Sequence, residues 1–171
     1  MKKTAIVLLA HGVPSHDWLL EKEGKALWEI GKKHMHDLSE KIKDLPRTPA
    51  TDPFKFDSEH LAEVIKAKLR DKFDNIELGY NEFCSPSTAD AVDKVIKKGA
   101  KKVIFVGIGG FITPHFHTLI DVPASIEEAK KKYPGIKVVY AKPGFDYNKR
   151  ADTYIRKIEK SRRMTIRQYV E

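Results

Sequence analysis

The chain is expected to fold as an α/β domain around a parallel sheet, on three observations. Short β-branched and aliphatic runs recur at residues 4–10, 76–80, 103–107 and 136–140. They are continuous rather than alternating, as expected for strands covered on both faces. Helical patterns separate them, and strands alternating with helices build βαβ units with right-handed crossovers. A length of 171 residues with 41% hydrophobic content fits one domain with a substantial core, spanning residues 1–171.

Each element follows from local signals. The first run ends in Ala10-His11-Gly12. Two lysines precede it in the manner of a signal peptide, but the apolar stretch is short and is cut off by His11, Gly12 and Pro14 with no small-residue cleavage site. It is read instead as a buried first strand. Residues 13–58 are read as a helical insertion: a helical pattern over 17–45, with Trp18, Leu27 and Trp28 on its apolar face, then a turn region containing Pro46, Pro49 and Pro53. A further helix is expected over 58–72. After the second strand, residues 86–98 carry Pro near the start, apolar residues at Ala89, Val92, Val95 and Ile96, and Gly99 at the end, which are helix start and stop signals. Residues 123–133 repeat the scheme before Pro134-Gly135, with Asp121 expected to cap the helix. A last helix over 149–163 runs into a basic tail, so that residues 150–171 form a basic C-terminal segment.

Composition narrows the function classes. The longest apolar run is far too short to span a bilayer. One cysteine, Cys84, cannot form an intramolecular disulfide and suits a reducing compartment, so a cytoplasmic location is expected. Thirty-two Lys and Arg against 24 Asp and Glu give a formal charge of +8, which favours anionic partners. A nucleic-acid module would rest on the basic tail alone, without a helix-turn-helix, finger or aromatic RNA-binding signature, and ranks behind a polycarboxylated small molecule.

Ligands of open α/β sheets collect at the carboxyl ends of the strands. The residues there are distinctive: His11-Gly12 after the first strand, Asn81-Glu82 after the second, and Gly109-Gly110-Phe111 leading to His115 and His117 after the third. Imidazoles suit cobalt, nickel, zinc and ferrous iron better than magnesium or calcium. A His, Glu, His set leaves coordination positions open, as an ion that must be passed on requires. Residues 115 and 117 share a side on an extended segment, whereas in a turn only one need face the ion. His16, His34, His36 and His60 are read as surface residues, and Cys84 as a small buried thiol. The glycines after the third strand lack the Lys-Ser or Lys-Thr of a phosphate loop, and are expected to let the backbone approach a flat ligand.

Three segments together resemble the short class II tetrapyrrole chelatases, the sirohydrochlorin cobaltochelatase family and its nickel and iron relatives. They are Ile6-Val7-Leu8-Leu9-Ala10-His11-Gly12, then Gly79-Tyr80-Asn81-Glu82-Phe83 followed by Pro86, and Phe111-Ile112-Thr113-Pro114 followed by His117-Thr118-Leu119-Ile120-Asp121-Val122-Pro123. The resemblance covers residues 1–12 and about 75–145. It implies a chelatase-like, flavodoxin-like four-stranded parallel sheet flanked by helices, with His11 and His117 as metal ligands and Glu82 as the active-site carboxylate. Gly12, Gly109, Gly110, Phe111 and His115 are then expected to contact the substrate. The implied activity is insertion of Co²⁺, or Ni²⁺ or Fe²⁺, into sirohydrochlorin, with the ion as substrate and no organic cofactor. Short members carry half of a two-lobed fold, which implies a homodimer. Three features depart from the family pattern: Val13-Pro14 after His-Gly, His115 at a position usually held by Gly, and the insert over 16–58. They favour an alternative, a non-catalytic metal or tetrapyrrole carrier.

Overall fold

The computed structural model describes residues 3–16, 32–73, 75–144 and 146–161. The face of Trp18, Leu27 and Trp28, the side chains of His34 and His36, and the tail beyond residue 161 lie outside these.

Four strands, β1 (Thr4–Ala10), β2 (Ile76–Tyr80), β3 (Lys102–Gly107) and β4 (Lys137–Tyr140), form one sheet in the order β2-β1-β3-β4. Every pairing is parallel, with Leu9 opposite Gly79 on one side and Gly107 on the other. β1 is central and buried from Ala5 to Ala10, which accounts for its unbroken apolar run. β2 and β4 are the edge strands, and the exposure of β4 alternates along its length. The chain leaves β1 toward β2 on one side and reaches β3 on the other, so the carboxyl ends of β1 and β3 flank a topological switch point, where ligands of such sheets bind.

Five helices are described: α1 (Lys32–Ile42), α2 (Pro53–Leu69), α3 (Thr88–Lys97), α4 (Val122–Lys132) and α5 (Tyr147–Ser161). One face of the sheet packs Ala5, Val7 and Leu9 against Ala91, Val92 and Val95 of α3 and Val122 and Ile126 of α4. The other packs Ile6, Leu8 and Ala10 with Leu78 and Tyr80 beneath Ala62 of α2. Each such fully buried aliphatic side chain contributes about 1.5–3 kcal/mol relative to its exposed state. α3 opens on a reciprocal capping box between Ser87 and Asp90.

Several expected boundaries shift. α2 begins at Pro53 rather than at residue 58, because Asp52 caps it by accepting the Lys55 N–H at 2.9 Å and Pro53 occupies the first turn. It ends at Leu69, short of residue 72. Within the helical pattern expected over 17–45, the described helix is α1.

Candidate metal centre

His11 follows β1, Glu82 follows β2, and His117 opens a five-residue π turn, His117–Asp121, that runs directly into α4. Their ligand atoms all lie within 4.8 Å of one another. One carboxylate oxygen of Glu82, Oε1, stands 3.3 Å from His11 Nε2 and 3.4 Å from His117 Nε2. Each imidazole is engaged through its other nitrogen. His11 Nδ1 donates to the Gly12 carbonyl at 2.5 Å, and His117 Nδ1 donates to Asp121 Oδ2 at 2.6 Å. In the neutral rings both Nε2 lone pairs therefore face the carboxylate. Three acceptors converging without a donor repel one another unless a cation sits among them, which is the electrostatic character of a metal site.

Burial holds His11 below the usual histidine range, outweighing the opposing pull of the Gly12 carbonyl and Glu82; the neighbouring His117 and His115 lower it further. A neutral imidazole is the form that coordinates. The rings are mutually braced, His11 meeting His117 edge-on at 4.8 Å between centroids and Phe111 at 5.5 Å. Phe111 also lies nearly parallel to His117 at 6.1 Å.

Two loops must be held together for this geometry, and the contacts that hold them were not anticipated from sequence. A Cβ on Gly12 would overlap the carbonyl oxygen of Glu82, so the loop after β1 lies directly on the loop after β2. Phe83 takes a left-handed backbone with φ 59°, a conformation that costs a bulky residue about 1–3 kcal/mol and persists only where surroundings enforce it. They do: the Phe83 N–H donates to Ser39 Oγ at 2.7 Å, and its carbonyl accepts from Arg47. Arg47 also donates to the Val13 carbonyl at 2.7 Å and pairs with Asp52, with both side chains buried. One guanidinium thus ties together the loops carrying His11 and Glu82. Cys84 packs beside it as a buried thiol whose pKa is pushed up to about 11 by desolvation.

Other expected site residues fall elsewhere. Phe111, expected to contact the substrate, is 1% exposed and packs its ring against those of His11 and His117. Gly107 meets the Phe111 backbone rather than a flat ligand, because a Cβ there would strike the Phe111 carbonyl. The segment after Phe111 is a turn, and His115 lies outside the ligand cluster with Nδ1 donating to the Thr113 carbonyl at 2.7 Å. Asp121 does not cap α4. Its backbone is already helical, continued from the π turn, and its carboxylate reaches back to His117. Gly109 and Gly110 are exposed, and they line a cleft of about 580 Å³ with Lys149, Arg150 and Tyr154. His16 and His60 lie on the surface. The His11, Glu82, His117 cluster opens into a separate cleft of about 680 Å³ lined by Val13, Pro14, Phe116 and Glu128 among others.

The CbiX family model matches residues 54–159, well over half of the chain. The chain belongs to the CbiX family. The matched span holds Glu82, His117 and Asp121, while His11 precedes it. The chain is 37% identical over 68 residues to a sirohydrochlorin cobaltochelatase of Priestia megaterium, an alignment covering 40% of this chain and 22% of that protein. It resembles the sirohydrochlorin chelatase SirB of Bacillus subtilis subspecies spizizenii, solved in complex with cobalt, with TM-score 0.55 and 20% identity over 85% of this chain and 46% of that one. SirB of Bacillus subtilis with Fe³⁺ gives TM-score 0.60 and 19% identity over 92% of this chain and 47% of that one. At such identities the structures establish the common chelatase fold. The chain covers less than half the length of these relatives.

Proposed function

We propose that this CbiX-family chain is a chelatase that inserts Co²⁺, or alternatively Ni²⁺ or Fe²⁺, into sirohydrochlorin. The observation that carries the reading is the convergence of two imidazole Nε2 atoms and one carboxylate at the switch point of the sheet. Insertion replaces two pyrrole N–H bonds with metal–nitrogen bonds and releases two protons. An ion held by His11, His117 and Glu82 keeps open positions for incoming nitrogens. Glu82, partly buried beside a dication, is the group placed to exchange its metal contact for a pyrrole proton.

The +8 charge suits a substrate with many carboxylates, and Lys149 and Arg150 beside Gly109 and Gly110 put two cations along the same sheet edge. A homodimer in a reducing cytoplasm completes the proposal. It is supported by alignments that span about half of each SirB relative, which leaves a second lobe for another copy to supply, and by a single, buried cysteine.

Purified protein is incubated with metal-free sirohydrochlorin and each of Co²⁺, Ni²⁺ and Fe²⁺, and the absorbance change is followed. A rate above the uncatalysed one is expected with Co²⁺, and His117→Ala should abolish it. Metal binding without any rate above background would instead identify a carrier.

A further inference from the structure

We infer that Asp121 is a positioning residue that fixes the tautomer and orientation of His117, and so makes His117 the firmer and His11 the weaker of the two metal ligands. This rests on the reading of the His11, Glu82, His117 cluster as a metal centre. A carboxylate accepts hydrogen bonds and cannot donate them, so the 2.6 Å contact places the proton of neutral His117 on Nδ1 and leaves the Nε2 lone pair toward Glu82. Such a charge-assisted partner raises the donor strength of the ligating nitrogen. His11 has the same arrangement with a weaker partner, since its Nδ1 donates to a neutral backbone carbonyl. Matched in tautomer, the two imidazoles differ in how strongly they hold a cation.

The backbone shows that this pairing is built in. Asp121 is four residues after His117 inside the π turn, whose terminal Val122 N–H donates to the His117 carbonyl. π turns of this kind occur frequently at functional sites. Thr118, fully buried, pins the turn from below by donating to the Thr113 carbonyl at 2.9 Å, and Val122 is buried in the core. Neither Asp121 nor His117 has to be ordered at the moment an ion arrives. A capping role gives no competing explanation, because the Asp121 side chain makes no cap hydrogen bond. The consequence is directional: as macrocycle nitrogens replace protein ligands, His11 lets go first and the ion swings on His117.

The test uses the intact chain and Co²⁺ as probe. Affinity is measured by competition with a chromophoric chelator, and the tautomer of His117 is read from long-range ¹⁵N–¹H NMR of the metal-free protein. Asp121→Asn, nearly isosteric, is expected to weaken Co²⁺ binding about 10–100-fold with unchanged melting temperature and loss of the pure Nδ1–H signature. Asp121→Glu should recover part of the affinity. His117→Ala should lose more affinity than His11→Ala. Glu128→Gln removes an exposed carboxylate of the same cleft and should change affinity less than about threefold, separating a local bond from the general field of the cleft. The inference is overturned if Asp121→Asn binds Co²⁺ like the wild type, if Glu128→Gln weakens it as much, or if His11→Ala is the more damaging of the two histidine variants. A wild-type chain that binds no Co²⁺ overturns both this inference and the metal centre. Tight Co²⁺ binding that shows the Asp121 dependence but no insertion into sirohydrochlorin supports the inference and sinks only the proposed activity.

Discussion

Removing Arg47 should damage stability and metal binding together, although no atom of it belongs to the metal cluster. The side chain is 3% exposed and its partner Asp52 is fully buried. Breaking a buried pair from one side costs about 3–5 kcal/mol, because the remaining charge is left unpaired in a poorly solvating interior. Arg47→Ala adds the loss of donors to the Val13 and Phe83 carbonyls, which leaves both acceptors short of a partner. For a chain of this size each kcal/mol lowers the melting temperature by about 2–4 °C, so a fall of about 6–20 °C is expected by calorimetry. Because Val13 lies two residues from His11 and Phe83 directly follows Glu82, Co²⁺ affinity should fall in the same variant even well below its melting temperature. Arg47→Lys keeps the charge but cannot span three acceptors, and should fall between the two. A melting temperature within 2 °C of wild type for Arg47→Ala would refute the argument that this pair clamps the two loops.

Three further outcomes follow from the same geometry. His11 has its pKa lowered by burial, so the unfolded chain binds its proton at a higher pH than the folded one; the group's stabilising share is complete above about 6.5 and is lost as pH falls through the folded value. An NMR titration of His11 should give a midpoint under 6.5, and a midpoint at or above that value contradicts the assignment. Gly12→Ala should lower both melting temperature and Co²⁺ affinity, since the new methyl must displace the Glu82 backbone; unchanged affinity would show that the two loops move independently. Cys84, with its pKa near 11, should react with iodoacetamide at pH 8 on the order of a hundred times more slowly than in urea, where a free thiol has a pKa of about 8.5. Equal rates would mean that the loops open readily.

β1 and β2 were legible because burial on both faces leaves one kind of residue to choose from, whereas β4, exposed at alternate residues, was legible only from its short β-branched run. β1 and β2 fall on the expected residues, while β3 and β4 differ by one residue at the amino end. Helix starts were harder where two signals compete. Asp52-Pro53 is a capping pair, but the cluster of prolines before it has the composition of a turn, and only the Lys55 N–H bond shows that the helix has begun. The Arg47 clamp leaves no periodic trace, since its acceptors are backbone carbonyls 34 and 36 residues distant. Such contacts depend on the path of two loops, and no local pattern encodes that path.

At the candidate metal site the legible part was the placement of each residue after the end of a strand, which follows from sheet topology. The illegible part was Asp121. Val122-Pro123 marks a helix start in sequence, so the residue before it is naturally taken for a cap. The structure resolves this differently: a π turn carries the helical backbone five residues further toward the amino terminus, and Pro123 stays within the tolerated first turn of α4. Once the turn is included, residues 117 and 121 stand at the i, i+4 spacing that brings side chains together on one helical face. The same turn decides between His115 and His117. Over an extended segment both imidazoles would have pointed to one side, whereas curling the chain after Pro114 directs His115 to the Thr113 carbonyl and leaves His117 to face Glu82. A single local deviation from regular helix therefore turns His117 toward Glu82, brings the Asp121 carboxylate to its other ring nitrogen and turns His115 toward the Thr113 carbonyl.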